Sequence, residues 1–144
     1  MFKDDLNKWK KAEIEFAKRL LDWGVNRLEF APNKQFKDWD LRVEFEKLGK
    51  NVIRTFEIKD DIISDSTGNI WLEVRCNWKP SGIYTSKADY IVYHLWDKFY
   101  YQDRWELTYR LDKVPYTPKS WWDGNRALLY VVDKKYLSDL FKEL

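Results

Sequence analysis

The spacing of apolar and polar positions divides this chain into readable segments. Over residues 5–23, Trp9, Ala12, Phe16, Leu20 and Trp23 recur at helical spacing and Gly24 follows, which predicts an amphipathic helix closed by glycine. Residues 25–30 read as a short strand and Ala31-Pro32-Asn33 as a turn. The period then changes to two. Trp39, Leu41, Val43 and Phe45 alternate with Asp40, Arg42, Glu44 and Glu46, the signature of a half-buried strand. Leu48-Gly49-Lys50-Asn51 predicts a turn, and 52–60 a second strand. After a polar loop over 64–69 that carries Gly68, Ile70, Leu72, Val74 and Cys76 alternate with Trp71, Glu73 and Arg75 as a third strand.

Lys79-Pro80-Ser81-Gly82 breaks the pattern. A short helical turn over 85–89 leads to a strand over 90–95, with 99–102 pairing back across Trp96-Asp97-Lys98. The remainder reads as a helix over 103–112, a loop over 115–124, a strand over 127–132 and a final helix over 134–143. Helix, three strands and mixed elements predict an α/β or α+β sheet flanked by helices. No repeat, low-complexity tract or linker divides the 144 residues, so a single domain is expected.

Composition changes this picture in one respect. Aromatic residues make up 18% of the chain and include nine Trp, more than a core of this size needs, so some rings are expected at the surface for stacking. The formal charge of +2 neither demands nor excludes a nucleic-acid partner, since an acidic metal site would lower it. Cys76 is the only cysteine, which excludes an intramolecular disulfide and a Cys-based zinc site. No stretch approaches a membrane span and the first residues lack an apolar signal core, so an intracellular protein without a membrane partner is expected.

The chemistry concentrates in Phe56-Glu57-Ile58-Lys59. Side chains at i and i+2 of a strand share a face, so Glu57 and Lys59 stand together while Phe56 and Ile58 bury the other side. Asp40 lies on the polar face of the preceding strand. Two carboxylates beside an ammonium suit metal-assisted phosphodiester hydrolysis: hard oxygen ligands hold Mg²⁺ and the lysine positions a water. The same Glu-x-Lys spacing also arises as an ordinary cross-strand ion pair.

Three further features bear on the choice. Glu13 falls within the apolar stripe of the first helix and Glu15 nearly opposite; a carboxylate there needs a partner or must reach solvent at the stripe's edge. The segment 74–88 has no acid and carries Arg75, Lys79, Ser81, Gly82, Thr85, Ser86 and Lys87 beside Trp78 and Tyr84, a set suited to phosphate oxygens. Lys119-Ser120-Trp121-Trp122 combines a cation with tandem rings that either stack on bases or cap the core.

This layout resembles the PD-(D/E)XK nuclease superfamily, in particular its Holliday-junction resolvase-like branch and small phage-encoded endonucleases. Ala12-Glu13, Trp39-Asp40-Leu41 and Glu57-Ile58-Lys59 occur in the order of that branch's motifs, and the resemblance spans about the first two-thirds of the chain. Asp38-Trp39 stands where the family often has a proline before the aspartate.

The resemblance implies a restriction-endonuclease-like core, a central mixed β-sheet in αβββαβ order. It also implies a divalent cation, Mg²⁺ with Mn²⁺ as substitute, a DNA substrate and a homodimer. Carried over by position, Asp40 and Glu57 ligate the metal, the Ile58 carbonyl is a third ligand, Glu13 holds a metal water and Lys59 positions the nucleophile. Glu73, on the polar face of the next strand, is an additional acidic candidate, and His94 reads more readily as structural than as a base. The expected activity is a structure- or sequence-selective endodeoxyribonuclease, junction-resolving or homing-type. The competing expectations are a nucleic-acid-binding module on a degenerate nuclease fold and an interaction protein whose aromatic excess builds an oligomer interface.

Overall fold

The computed structural model describes residues 2–33, 36, 38–60, 68–122 and 126–144, with the side chains of 2–10, 121 and 122 left aside. The first helix, α1 (Phe2–Asp22), buries Ala12, Phe16, Ala17 and Leu20, an i, i+4, i+5, i+8 stripe. It ends in a Schellman motif, in which the Gly24 amide donates to the Leu21 carbonyl (3.0 Å) and the Val25 amide to that of Leu20 (3.4 Å). Gly24 has φ +96°, open to glycine without a Cβ penalty. Trp23, expected in the stripe, lies beyond the last helical turn and is 66% exposed.

Four strands follow: β1 (Arg27–Phe30), β2 (Leu41–Lys47), β3 (Lys50–Asp60) and β4 (Asn69–Cys76). The turn between β2 and β3 is a two-residue loop with Leu48 and Gly49 at φ 53° and 76°, the primed geometry that matches strand twist. Leu41 pairs with Phe56 across this hairpin, and both face α1.

The remaining elements are β5 (Lys79–Pro80), a 3-10 turn (Gly82–Tyr84), β6 (Tyr90–Leu95), β7 (Lys98–Asp103), α2 (Arg104–Leu111), β8 (Thr117–Trp122), β9 (Arg126–Asp133), a 3-10 turn (Lys134–Tyr136), α3 (Leu137–Leu140) and β10 (Lys142–Glu143). The Asp103 carboxylate caps α2 by accepting from the Trp105 and Glu106 amides at 3.0 and 3.1 Å.

The strands form two sheets. The larger is mixed and runs β1-β2-β3-β6-β7-β10, with β3 and β6 parallel; the smaller is antiparallel and runs β5-β4-β9-β8. The fold is therefore mixed α+β, as expected, but β4 does not extend the sheet beside β3. Its place goes to β6, whose run Ile91-Val92-Tyr93 is buried on both faces and suits a central parallel position. Strand β4 buries Trp71 as well as Ile70, Leu72 and Val74, so it needs layers on both sides, which the second sheet provides.

Phe16, Leu20, Leu41, Val43, Phe56, Val92 and Phe99 make one core between α1 and the large sheet. Ile70, Leu72, Ile83, Ile91, Leu95, Leu107, Leu111 and Val132 make another between the two sheets and α2. Each fully buried large side chain contributes roughly 1.5–3 kcal/mol.

Other expectations are corrected. No helical turn spans 85–89; the turn forms earlier, at Gly82–Tyr84. The loop expected over 115–124 contains β8, an edge strand on β9. Pro118 obscures it in sequence, yet a missing N–H is tolerated where only one side is paired. The final helix shrinks to one turn, because Leu140 and Phe141 both enter the core and Lys142 and Glu143 pair with β7. Of the polar loop expected over 64–69, residues 64–67 lie outside the described residues.

Candidate active-site cleft

A cleft of about 390 Å³ opens beside the end of β3, beyond its pairing with β2. Glu13, Asp40, Glu57, Ile58, Lys59 and Glu73 line it, together with Asp60, Trp71, Gly82 and Tyr93. The acidic and basic groups come from α1, the residue before β2, the end of β3, and β4, with Gly82 from the 3-10 turn and Tyr93 from β6. Because β3 and β6 run parallel with Glu57 opposite Ile91 and Lys59 opposite Tyr93, the two polar side chains share the face that meets the small sheet. Phe56 and Ile58 pack toward α1.

Asp40 is fixed by three backbone bonds. Its amide donates to the Phe56 carbonyl at 2.9 Å, its carbonyl accepts from Ala31 at 3.0 Å, and Oδ2 accepts from the Ile58 amide at 2.7 Å. Burial pushes its carboxyl above the ordinary 3.8, against the opposing pull of the Ile58 amide and of Lys59. Burial likewise raises Glu57 above 4.5; Lys59 opposes this, the charge of Asp40 adds to it, and a hydrogen bond from Ser86 opposes it again. Glu57 Oε2 is buried without a hydrogen-bond partner and sits 3.8 Å from Lys59 Nζ, beyond hydrogen-bond reach. Two desolvated carboxylates with one incompletely paired oxygen make a site short of positive charge.

The opposite wall is built by a backbone approach. Gly82 has φ +57°, and a Cβ there would collide with the Glu73 carbonyl oxygen and lie 2.9 Å from its carbon. Beside it the Ser81 hydroxyl donates to Glu73 Oε2 at 2.9 Å, and the Ser86 amide donates to the Gly82 carbonyl at 3.1 Å. One segment therefore braces Glu73 and sets Ser86 beside Glu57.

The residues expected to touch nucleic acid divide into two groups. Ser81 is engaged with Glu73, and Ser86 is buried beside Glu57, accepting from the Ala88 amide. Arg75, Lys79, Thr85, Lys87 and Lys119 are exposed; Lys87 lies 3.7 Å from Asp38, and Lys119 Nζ lies 5.1 Å over the Trp71 ring. The backbone of Trp121 pairs with Ala127 in β8, and its side chain lies outside the described residues.

His94 Nδ1 lies 3.1 Å from Asp60 Oδ1 and its ring stacks on Phe99 with centroids 4.6 Å apart. Sequence reading passed over Gly82, Tyr93 and Asp60 as cleft residues. Only the Gly82 backbone conformation marks that position, and it is invisible in a polar loop.

Among the described residues no group of three or more His, Cys, Asp or Glu side chains is assembled to hold a metal. None of the described helices is long and apolar enough to cross a membrane. No family model, curated protein or solved structure matches the chain.

Proposed function

We propose that this protein is a Mg²⁺-dependent DNA endonuclease with a PD-(D/E)XK-like site, selective for structure or sequence in the manner of a junction-resolving or homing-type enzyme. The observation that carries the reading is convergence. Glu13, Asp40, Glu57, Lys59 and Glu73, separated by up to sixty residues of sequence, line one cleft. The order α1-β1-β2-β3 followed by β6 parallel to β3 supports a restriction-endonuclease-like arrangement, although β4, β5 and a 3-10 turn stand where that order has a helix.

The donor set fits a hard divalent cation. Asp40 and Glu57 would hold it, with the Ile58 carbonyl and a water on Glu13 as further ligands; Mg²⁺ characteristically keeps several waters and takes one or two carboxylates. When bound, it would supply charge neutralisation at the phosphate and acidify a water. Two carboxylates therefore suffice without a three-residue cage.

The chain's own groups do the rest. The Ile58 amide holds the Asp40 carboxylate in orientation, and Ser86 beside Glu57 favours its ionised form. Lys59, whose side chain is 41% exposed, reaches solvent from the cleft and positions the attacking water against the phosphate. Glu73, held by Ser81, orients the substrate from the facing wall.

One observation favours a second reading. The exposed cations Arg75, Lys79, Lys87 and Lys119 suit a nucleic-acid-binding module on a nuclease-like fold as well. Incubation with junction, flap, single-stranded and duplex DNA in Mg²⁺ or Mn²⁺ decides between them. Metal-dependent products abolished by Asp40→Asn support the enzyme, and retardation without cleavage supports the binder.

A further inference from the structure

The β4–β5 connection is a two-residue loop, Asn77–Trp78, with φ of 51° and 69°. Such primed loops favour Asn-Gly, because both central residues occupy the left-handed region. Asn77 satisfies the first position, and the second holds a tryptophan where glycine is free of strain. The ring does not recover that cost by burial, since Trp78 is 72% exposed. Strain without burial, at a large aromatic, points to a role outside folding.

The surroundings define what the ring meets. The Arg126 guanidinium carbon lies 3.9 Å from the Trp78 ring centroid, stacked over one face. Arg126 is placed there by backbone pairing, its amide donating to Asn77 Oδ1 at 3.0 Å and its carbonyl accepting from the Asn77 amide at 2.7 Å. Exposed Arg75 and Lys79 flank the loop on β4 and β5, and the sequence from 74 to 88 contains no acid. An exposed ring stacked with one cation, in a segment free of acids, suits a ligand with flat faces and negative charge spaced along it, which is a nucleic-acid strand with unpaired bases. Strand β4 also carries Glu73, a cleft residue, five positions before Trp78. At about 3.3 Å per residue this is roughly 16 Å, or about five nucleotides at the stacked spacing of 3.4 Å.

We propose that Trp78 and Arg126 form a stacking platform for an unpaired nucleotide of the DNA bound in the cleft, so that the substrate carries a single-stranded segment. This rests on the nuclease reading of the cleft for its second half only. The platform itself is tested by binding.

The experiment measures anisotropy of a labelled oligothymidine and of a blunt duplex of equal length, in EDTA, with wild type, Trp78→Gly, Trp78→Asn and Arg126→Ala. Each variant should bind oligothymidine about tenfold more weakly, with duplex affinity unchanged. Trp78→Gly and Trp78→Asn should melt no lower than wild type, because both residues tolerate the left-handed turn. Equal weakening on both probes, unchanged oligothymidine binding, or a clear fall in melting temperature for both turn variants would each overturn the platform. A wild-type chain that binds oligothymidine through Trp78 yet cuts no DNA overturns the nuclease reading alone. One that cuts but binds oligothymidine equally without Trp78 overturns the platform alone.

Discussion

The two sheets reach the cleft through strand pairs whose partners lie at different distances along the chain, β2–β3 in the large sheet and β4–β9 in the small one. In the large sheet, β2 and β3 meet through a two-residue turn, and the hairpin brings Asp40 within 2.7 Å of the Ile58 amide. In the small sheet β4 pairs with β9, Asn69 opposite Asp133, so the two strands are brought together only by the rest of the fold. The local hairpin carries the chemical groups. The non-local sheet encloses them, supplying Trp71, Glu73 and Leu129 to the cleft. Burial raises both the Asp40 and the Glu57 carboxyls in the cleft that these elements line together.

Removing the hairpin's charges is the strongest way to break this division. Asp40→Asn and Glu57→Gln should each abolish cleavage, while the folded chain persists because both amides keep an acceptor oxygen. Their folded pKa values lie above the ordinary carboxylate values, so the native state holds protons more tightly than the unfolded state. Stability from these groups is then present at low pH and is lost as pH rises through the unfolded and then the folded pKa. Without metal, both variants should melt at or above the wild-type temperature at pH 7, and that advantage should vanish below pH 3.8, the ordinary aspartate value. Adding Mg²⁺ should raise the melting temperature of wild type and not of the variants. A variant cutting at the wild-type rate would remove both carboxylates from the site.

The complementary test breaks the enclosure. Gly82→Ala forces a Cβ into the Glu73 carbonyl at a left-handed φ, and should cost about 2–4 kcal/mol. Urea melts read that loss directly. If stability is unchanged, the close approach of the Gly82 segment to β4 is not what holds the small sheet against the cleft.

A smaller effect tests the reach of α1. Glu13→Gln should slow cleavage about tenfold, the scale of lost support around a metal, while Glu15→Gln should be silent, because Glu13 and not Glu15 lines the cleft. Rates at saturating DNA check this, and equal effects of the two changes would contradict the assigned helix face.

Smallest of all should be the surface cations. Lys79→Ala, Lys87→Ala and Lys119→Ala should each weaken DNA binding in Ca²⁺ similarly across sequences and flatten the salt dependence by about one ion. Lys87 gains little from its 3.7 Å contact with Asp38, since both side chains are largely exposed. Loss of turnover with binding and salt slope intact would place that lysine inside the site.

The amino-acid sequence by itself determined whatever depends on short-range period. The stripe Ala12, Phe16, Leu20 made α1 legible, and Gly24 marked its end, since both follow from helix geometry. Alternation around Leu41 and Phe56 made the β2–β3 hairpin legible and placed Glu57 and Lys59 on one face. Only the tertiary structure decided which strand borders β3. The alternation of β4 looks like that of an ordinary neighbouring strand, and the competition with β6 is settled by its Ile91-Val92-Tyr93 run, which can be buried on both faces. It also decided that β8 forms despite Pro118, that Ser86 serves Glu57, and that Gly82 closes on Glu73. Each of those outcomes depends on a partner elsewhere in the chain or on a backbone dihedral, and neither leaves a periodic trace in the chain.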